Sequence, residues 1–487
     1  MIAPIVFLLI VILGIPATFV CGAVIFAARS APRDRHAHVG RNRLVVGAIL
    51  SAFGLVAMAL IAWSTHEDQH YDDFGSALTA LAGVVAGALL IFGLGPFIPW
   101  LLLVLWRNAS RLPPAFRPAV RPLADRPART AAGVTTTMSA TAVAIAVVII
   151  SVAVTAKARA DYRPEGRLGA LVVEGFSPDQ AATVRAVIRQ ELSGAPIAEN
   201  NGQRELGHIE VETSGYSYWG ETHIGDQALL RYLTGDPSTP YDPETAVVIT
   251  TGEEGVADSA KVRYAFFETN QSPSTKTIPA ITVSPPEPRL GSVFIPAKVV
   301  RDLGFHLEPE QLIIDPSLHR TSAIERERLD RRLEETTRIH LEQGYQAPTG
   351  WLYVVAVLVL IALLGTLATI RSARSMRLLL RAGGGSAAAL RFFVGCRAAF
   401  SAALGTAMGA CAGCVIGLLL AWPMTAPIDW DPAPRAPFET PWALIAALVV
   451  GLPAFAAAIA AFAPVRWLTR SDRISKPTLP PSPVSVP

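Results

Sequence analysis

Long uninterrupted apolar runs constrain this chain before any motif does. Stretches at about 4–28, 44–63, 77–105, 132–156, 350–370, 392–421 and 441–463 each approach or exceed the roughly 20 apolar residues with which a helix crosses a bilayer core. Residues 157–349 contain no such run. The pattern predicts an α-helical polytopic membrane protein with about seven spans, three plus four, and one mixed α/β extracytoplasmic domain. The third run carries Gly95, Pro96 and Pro99, which predicts a kink or tilt.

Orientation follows from the short loops, where Arg and Lys favour the cytoplasmic side. Residues 29–43 hold Arg29, Arg33, Arg35, Arg41 and Arg43, and residues 371–391 hold five Arg and no acid. Six more Arg lie in 106–131. On the other side, residues 64–76 carry Glu67, Asp68, Asp72 and Asp73 without a basic residue. This bias predicts an N-terminus outside and a C-terminus inside a multi-pass protein of the plasma membrane. The first run lacks a basic leader and is too long for the apolar core of a cleaved signal. The Pro/Ser-rich end predicts a disordered tail.

The segment 157–349 holds 20 basic and 29 acidic residues, a balance unlike that of the basic loops. Alternating or continuous apolar runs predict strands at Ala170–Val173, His208–Glu212, Ala246–Thr250, Val262–Phe267, Ile278–Val283, Val293–Ile295 and Leu312–Ile314. Helices are predicted at Pro178–Leu192 and Ala297–Leu303. A third, long and charged, is expected over 322–345, with Ile324, Leu329, Leu333 and Ile339 as a thin apolar line. It would form a stalk running into the fifth span. None of the four Cys lies in this domain, so no disulfide braces it.

Residues 4–105 and 350–463 share one plan of three spans, with a basic loop and then a short acidic one, which suggests duplication. The expected organisation is a three-span unit at 1–108, a basic linker at 109–131, a fourth helix at 132–156, the outer domain with its stalk at 157–349, a second three-span unit at 350–466, and a tail at 467–487. The first copy then lacks the span and domain that lead the second.

Few residues announce chemistry. Gly405, Gly409, Gly413 and Gly417 form a four-residue ladder on one face of the sixth span. Small residues there let helices approach closely, either within the bundle or in a dimer. His66, Glu67 and His70 spell HExxH, the zinc-ligand and general-base pattern of metalloproteases. They fall in a loop of about 13 residues, with Asp68 where a core-facing residue belongs, so an ordinary acidic loop is the favoured reading. Cys411 and Cys414 lie inside a span and read as packing residues rather than a redox pair. No Walker A motif occurs, and no cofactor or nucleic-acid partner is expected. The spans read as free of buried acids or bases, which argues against an ion or proton pathway. Any energy source would be external.

The order span, large outer domain, three spans resembles the FtsX-like (MacB-type) permeases that pair with ABC ATPase subunits. The likeness covers most of 110–468. The approach Arg126-Pro127-Ala128-Arg129-Thr130-Ala131 is similar to the basic entry "RxxRTA" of actinobacterial members. Leu379-Leu380-Arg381-Ala382-Gly383-Gly384-Gly385-Ser386, followed by Arg391, is similar to the family's coupling segment. The sequence departs from that pattern where Ala387 and Ala388 replace arginines. The resemblance implies a non-enzymatic permease subunit in which Arg374, Arg377, Arg381, Gly384 and Arg391 form the ATPase-coupling loop. It also implies an ATPase, a second permease copy or partner, and the bilayer as its associates. The alternatives are a membrane-anchored binding or signalling protein without ATPase coupling and, more remotely, a metalloprotease at His66, Glu67 and His70.

Overall fold

The computed structural model describes residues 18–31, 40–65, 73–108, 127–162, 164, 166–203, 207–213, 221–250, 256–266, 273–284, 292–333, 337–371, 387–426 and 435–462. The chain divides into two compact units, one of residues 1–160 and 347–487 and the other of 161–346.

The first unit is helical. A short apolar helix, α1 (Thr18–Ser30), is followed by α2 (Arg41–Ser64), α3 (Asp73–Leu94), α4 (Phe97–Arg107), α5 (Pro127–Ala160), α10 (Trp351–Arg371), α11 (Ala387–Met424) and α12 (Trp442–Phe462). Taking α3 and α4 as one span, six of the described helices are long and apolar enough to cross a membrane. Residues 4–17 of the first expected span lie outside the described residues. The break between α3 and α4 falls at Gly95–Pro96, where Ile98 N donates to Gly95 O in a turn. A side chain at Gly95 would press on the Ala23 carbonyl, so the same glycine admits α1.

Helix α5 is the centre of this unit: 67% of its spanning window is buried, against 17% for α2 and 22% for α12. It contacts α4, α10 and α11. The alanine, threonine and glycine content of its first half keeps its surface thin enough to be enclosed on several sides.

The second unit contains two sheets. Strands β1 (Leu171–Glu174), β2 (Ile197–Gln203), β9 (Leu307–Ile314) and β10 (Arg338–Leu341) form an antiparallel sheet in the order β10-β1-β9-β2. A six-stranded mixed sheet runs β3 (Gly207–Thr213), β6 (Ser259–Phe266), β7 (Ser274–Val283), β5 (Ala246–Ile249), β8 (Ser292–Pro296) and β4 (Glu221–Gly225). Helices α6 (Ala181–Glu191), α7 (Gln227–Thr234), α8 (Ala297–Asp302) and α9 (Ala323–Arg332) complete it.

All seven expected strands are present. The run Leu171–Val173 is apolar at every position because both faces of the small sheet are covered. Leu171 and Val173 pack with Val184, Ile188 and Leu329, from α6 and α9. Val172 points the other way, toward Leu229 and Leu230 of α7 and Phe294 of β8.

The stalk helix is not formed. Helix α9 starts in a capping box, in which Ser322 N donates to Glu325 Oε2 and Glu325 N donates to Ser322 Oγ. It ends at Arg332, and Leu333 is extended. Arg338–Leu341 instead pair with β1, Leu341 opposite Leu171 and Arg338 opposite Glu174. Pairing satisfies the backbone of an otherwise open edge. It also places Ile339 and Leu341 on the same cluster as Leu329 and Leu333. The apolar line that resembled one long helix is therefore a helix followed by a strand, and no continuous helix enters α10.

Candidate functional site: a helix ridge and a domain neck

The ridge that organises the helical unit lies on α11. Gly405, Gly409, Gly413 and Gly417 all face α5. A methyl group at Gly409 would stand 2.5 Å from the Met138 carbonyl oxygen, and one at Gly413 would stand 2.5 Å from that of Ala142. Gly405 lies on Thr137 and Val134, and Gly417 on Ile149 and Ala146. Positions rise together along both helices, so α5 and α11 run parallel. Lys157 Nζ donates to Ala426 O at 2.7 Å, tying the far ends of the pair. The glycine face is filled within the chain.

Helix α10 runs antiparallel to α5 on another side. Gly133 packs against Thr369 and the Gly365 carbonyl. Thr137 Oγ1 donates to Ala362 O at 3.1 Å. The two helices that flank the sheet-rich unit in sequence are thus packed directly on each other.

The expectation that no span buries an ionisable group is wrong. Arg397, within α11, is 2% exposed and is the largest completely buried side chain among the described residues. Its Nη2 donates to Thr369 O at 3.4 Å. Thr369 Oγ1 and Ser401 Oγ, both fully buried, are 3.3 Å apart. Arg397, Ser401, Gly405, Gly409, Gly413 and Gly417 share one i, i+4 row, the ridge that helices use to pack. Extending the glycine period backward from Gly405 would have found Ser401 and then Arg397. The long apolar context disguised them.

The sheet-rich unit has its own constellation where its chain begins and ends. Glu342 is 1% exposed. Its Oε1 accepts from the Tyr162 hydroxyl and, at 2.7 Å, from Gly344 N. His340 Nε2 lies 3.5 Å from Oε2, and the Tyr162 and Tyr345 rings meet edge to face at 5.7 Å. Burial pushes the Glu342 carboxyl up, but the Tyr162, Gly344 and His340 contacts together outweigh it and hold it below its ordinary value. Tyr162 is the second residue after α5, and Tyr345 lies six before α10. This neck therefore joins the incoming strand of chain to the outgoing one. Nothing in local sequence pairs residues 180 apart.

A third polar junction links the two sheets. Ile224 N of β4 donates to Asn200 Oδ1 at 3.1 Å, and Asn201 Nδ2 donates to Ile224 O at 3.1 Å. A bulge between Asn200 and Asn201 turns both amides toward β4.

The other sequence-predicted residues are less informative. Arg391 is exposed near the start of α11. Arg374, Arg377, Arg381 and Gly384 lie outside the described residues, as do His66, Glu67 and His70. Among the described residues, no group of three or more His, Cys, Asp or Glu stands together to hold a metal.

These features define a class: a multi-helix membrane protein with a sheet-rich domain inserted between two mutually packed helices. No protein-family model matches the chain, and no curated protein matches it.

Proposed function

We propose that this chain is the permease-type membrane subunit of an ABC complex, coupling a separate ATPase to movement of its extracytoplasmic domain for export or mechanical signalling. The observation that carries the reading is the direct packing of α5 on α10, through Gly133, Gly365 and the Thr137–Ala362 hydrogen bond. Both connections to the sheet-rich domain issue from this one pair, and the α11 ridge grips α5 along its length. A displacement of α11 is therefore delivered to the helix that leads into the domain. Coupling of this kind needs rigid elements with discrete arrangements. Close-packed glycine interfaces supply the rigidity, and Glu342 ties Tyr162, just after α5, to the segment that leaves the sheet-rich unit.

The ends of the helices support the proposed sidedness. Helix α2 begins at Arg41 and carries Trp63, 69% exposed, in its last turn. Helix α10 runs from Trp351 to Arg371, and α12 begins at Trp442. Arginine at one level and tryptophan at the other fit a cytoplasmic and an outer interface. The ATPase would dock near 371–391, with the C-terminus on the same side.

The test is purification of the full chain from its native membranes in mild detergent. An ATPase subunit should be retained in near-stoichiometric amount and hydrolyse ATP. Repeated isolation with no nucleotide-hydrolysing subunit would sink the proposal.

A further inference from the structure

Strands β2 and β9 pair Asn200 with Gln311 and then Asn201 with Pro309. Glu310 is therefore an extra residue with no counterpart in β2, and a bulge of this kind re-aims a side chain. The Glu310 carboxylate lies over Gly202, where a methyl group would stand 2.9 Å from its Oε2. Between the two sheets at this point opens a cleft of about 470 Å³. Residues of β2, β3, β4 and β9 line it, together with Phe176 and Pro178 from the connection after β1.

The lining has one sign of charge. Among the described residues that form it, none is Lys, Arg or His, while Glu308 and Glu310 bring two carboxylates. Ionised carboxylates only accept hydrogen bonds. The Asn201 Nδ2 is committed to Ile224 O, so the group this amide can offer the cleft is its oxygen, a further acceptor. Phe176, Pro178, Ile209 and Ile224 supply an apolar wall. Acceptors and negative charge beside an apolar wall match a cation that carries N–H donors and an apolar body. The volume falls within the range of about 300–1,000 Å³ usual for small-molecule sites. A peptide would ordinarily add a strand to an open sheet edge. Here the edges of β2 and β4 are already tied to each other through Asn200, Asn201 and Ile224.

We propose that this cleft binds a small primary amine with an apolar body. The ammonium group donates to the Glu308 and Glu310 carboxylates, and the body lies along the apolar wall. The Asn200–Asn201 junction holds that wall in place beforehand, so little ordering is left for binding. The inference goes beyond the proposed function and does not depend on it.

The test is equilibrium dialysis of radiolabelled phenethylamine against the full chain in lipid nanodiscs at physiological ionic strength, with uptake by empty nanodiscs subtracted. The native chain should show one saturable site. Phenethyl alcohol, which keeps the body and lacks the charge, should compete at least about tenfold more weakly than unlabelled phenethylamine. Glu308→Gln and Glu310→Gln, both of nearly unchanged shape, should each weaken binding about fivefold, as for loss of a partly exposed ion pair. Glu327→Gln, the same charge loss at an exposed site on α9, should stay within about twofold of native, because salt screens distant charges. No saturable uptake by the native chain overturns the inference. So does equal competition by the alcohol, or a Glu327→Gln loss as large as that of Glu310→Gln. Tighter competition by Nα-acetyl-lysine methylamide than by phenethylamine would assign the cleft to a peptide side chain and overturn the small-molecule reading. Failure to retain an ATPase would count against the proposed function and leave this result standing.

Discussion

Gly409 lies so near α5 that a methyl group in its place would stand 2.5 Å from the Met138 carbonyl oxygen and 2.9 Å from Thr141 Cβ. Backbone cannot yield to that contact without separating the helices. Gly409→Ala should therefore cost about 1–3 kcal/mol, the usual range for overpacking. Gly451 of α12 has nothing within 4 Å of the same position. Gly451→Ala should stay within about 0.5 kcal/mol of the native chain. Unfolding in mixed dodecylmaltoside–dodecylsulfate micelles, followed by circular dichroism, compares the two. Equal losses would contradict the ridge.

The Asn200 side chain, 9% exposed, accepts from Ile224 N and donates to Gln311 Oε1 at 3.1 Å. Asn200→Ala leaves a buried N–H without its acceptor, which should cost about 1–3 kcal/mol. Asn201 is half-buried, and water can replace its amide, so Asn201→Ala should cost less. Pulse proteolysis of the full chain, scored by cuts within 161–346, measures both. A larger loss at Asn201 would mean that the sheets are not held together in this way.

Glu342 titrates below its ordinary value in the folded chain. A carboxyl depressed by folding contributes stability above its unfolded pKa, and that contribution disappears as pH falls through the folded pKa. At pH 7, Glu342→Gln should lose about 1.5–3 kcal/mol, the range for hydrogen bonds to a charged group. The gap between native and variant should close as the pH falls through the acidic range. The same proteolysis assay across pH 3–7 (roughly the carboxylate range and above) reads this out. A gap that is constant with pH would assign Glu342 a packing role only.

Arg391 is exposed near the start of α11, where a cytoplasmic partner would meet it. Arg391→Glu should lower ATPase retention several-fold while leaving micelle unfolding within about 0.5 kcal/mol of native, as for a surface substitution. Undiminished retention would remove Arg391 from the docking face.

The apolar helices were legible because each must bury or expose a whole face to lipid, which leaves a signal some 20 residues long. The core strands were legible for a related reason: Leu171–Val173 and Leu312–Ile314 are apolar throughout. Strand β4 was not, because Glu221-Thr222-His223 has no apolar alternation and its place is fixed by β8. Strand β10 was hidden by the high helix propensity of the charged residues just before it. Its fate depends on the free edge of β1, some 170 residues away in sequence.

The sequence by itself determined that the chain enters a membrane, that a polar domain separates its helices, and that α11 presents a glycine face. Those follow from composition and period, which act locally. Only the tertiary structure decided that α5 fills that face, that Arg397 meets Thr369 of α10, and that Glu342 ties Tyr162 to the chain leaving the domain. Each of these pairs residues far apart in sequence, and its energy exists only once the polar groups have left water together.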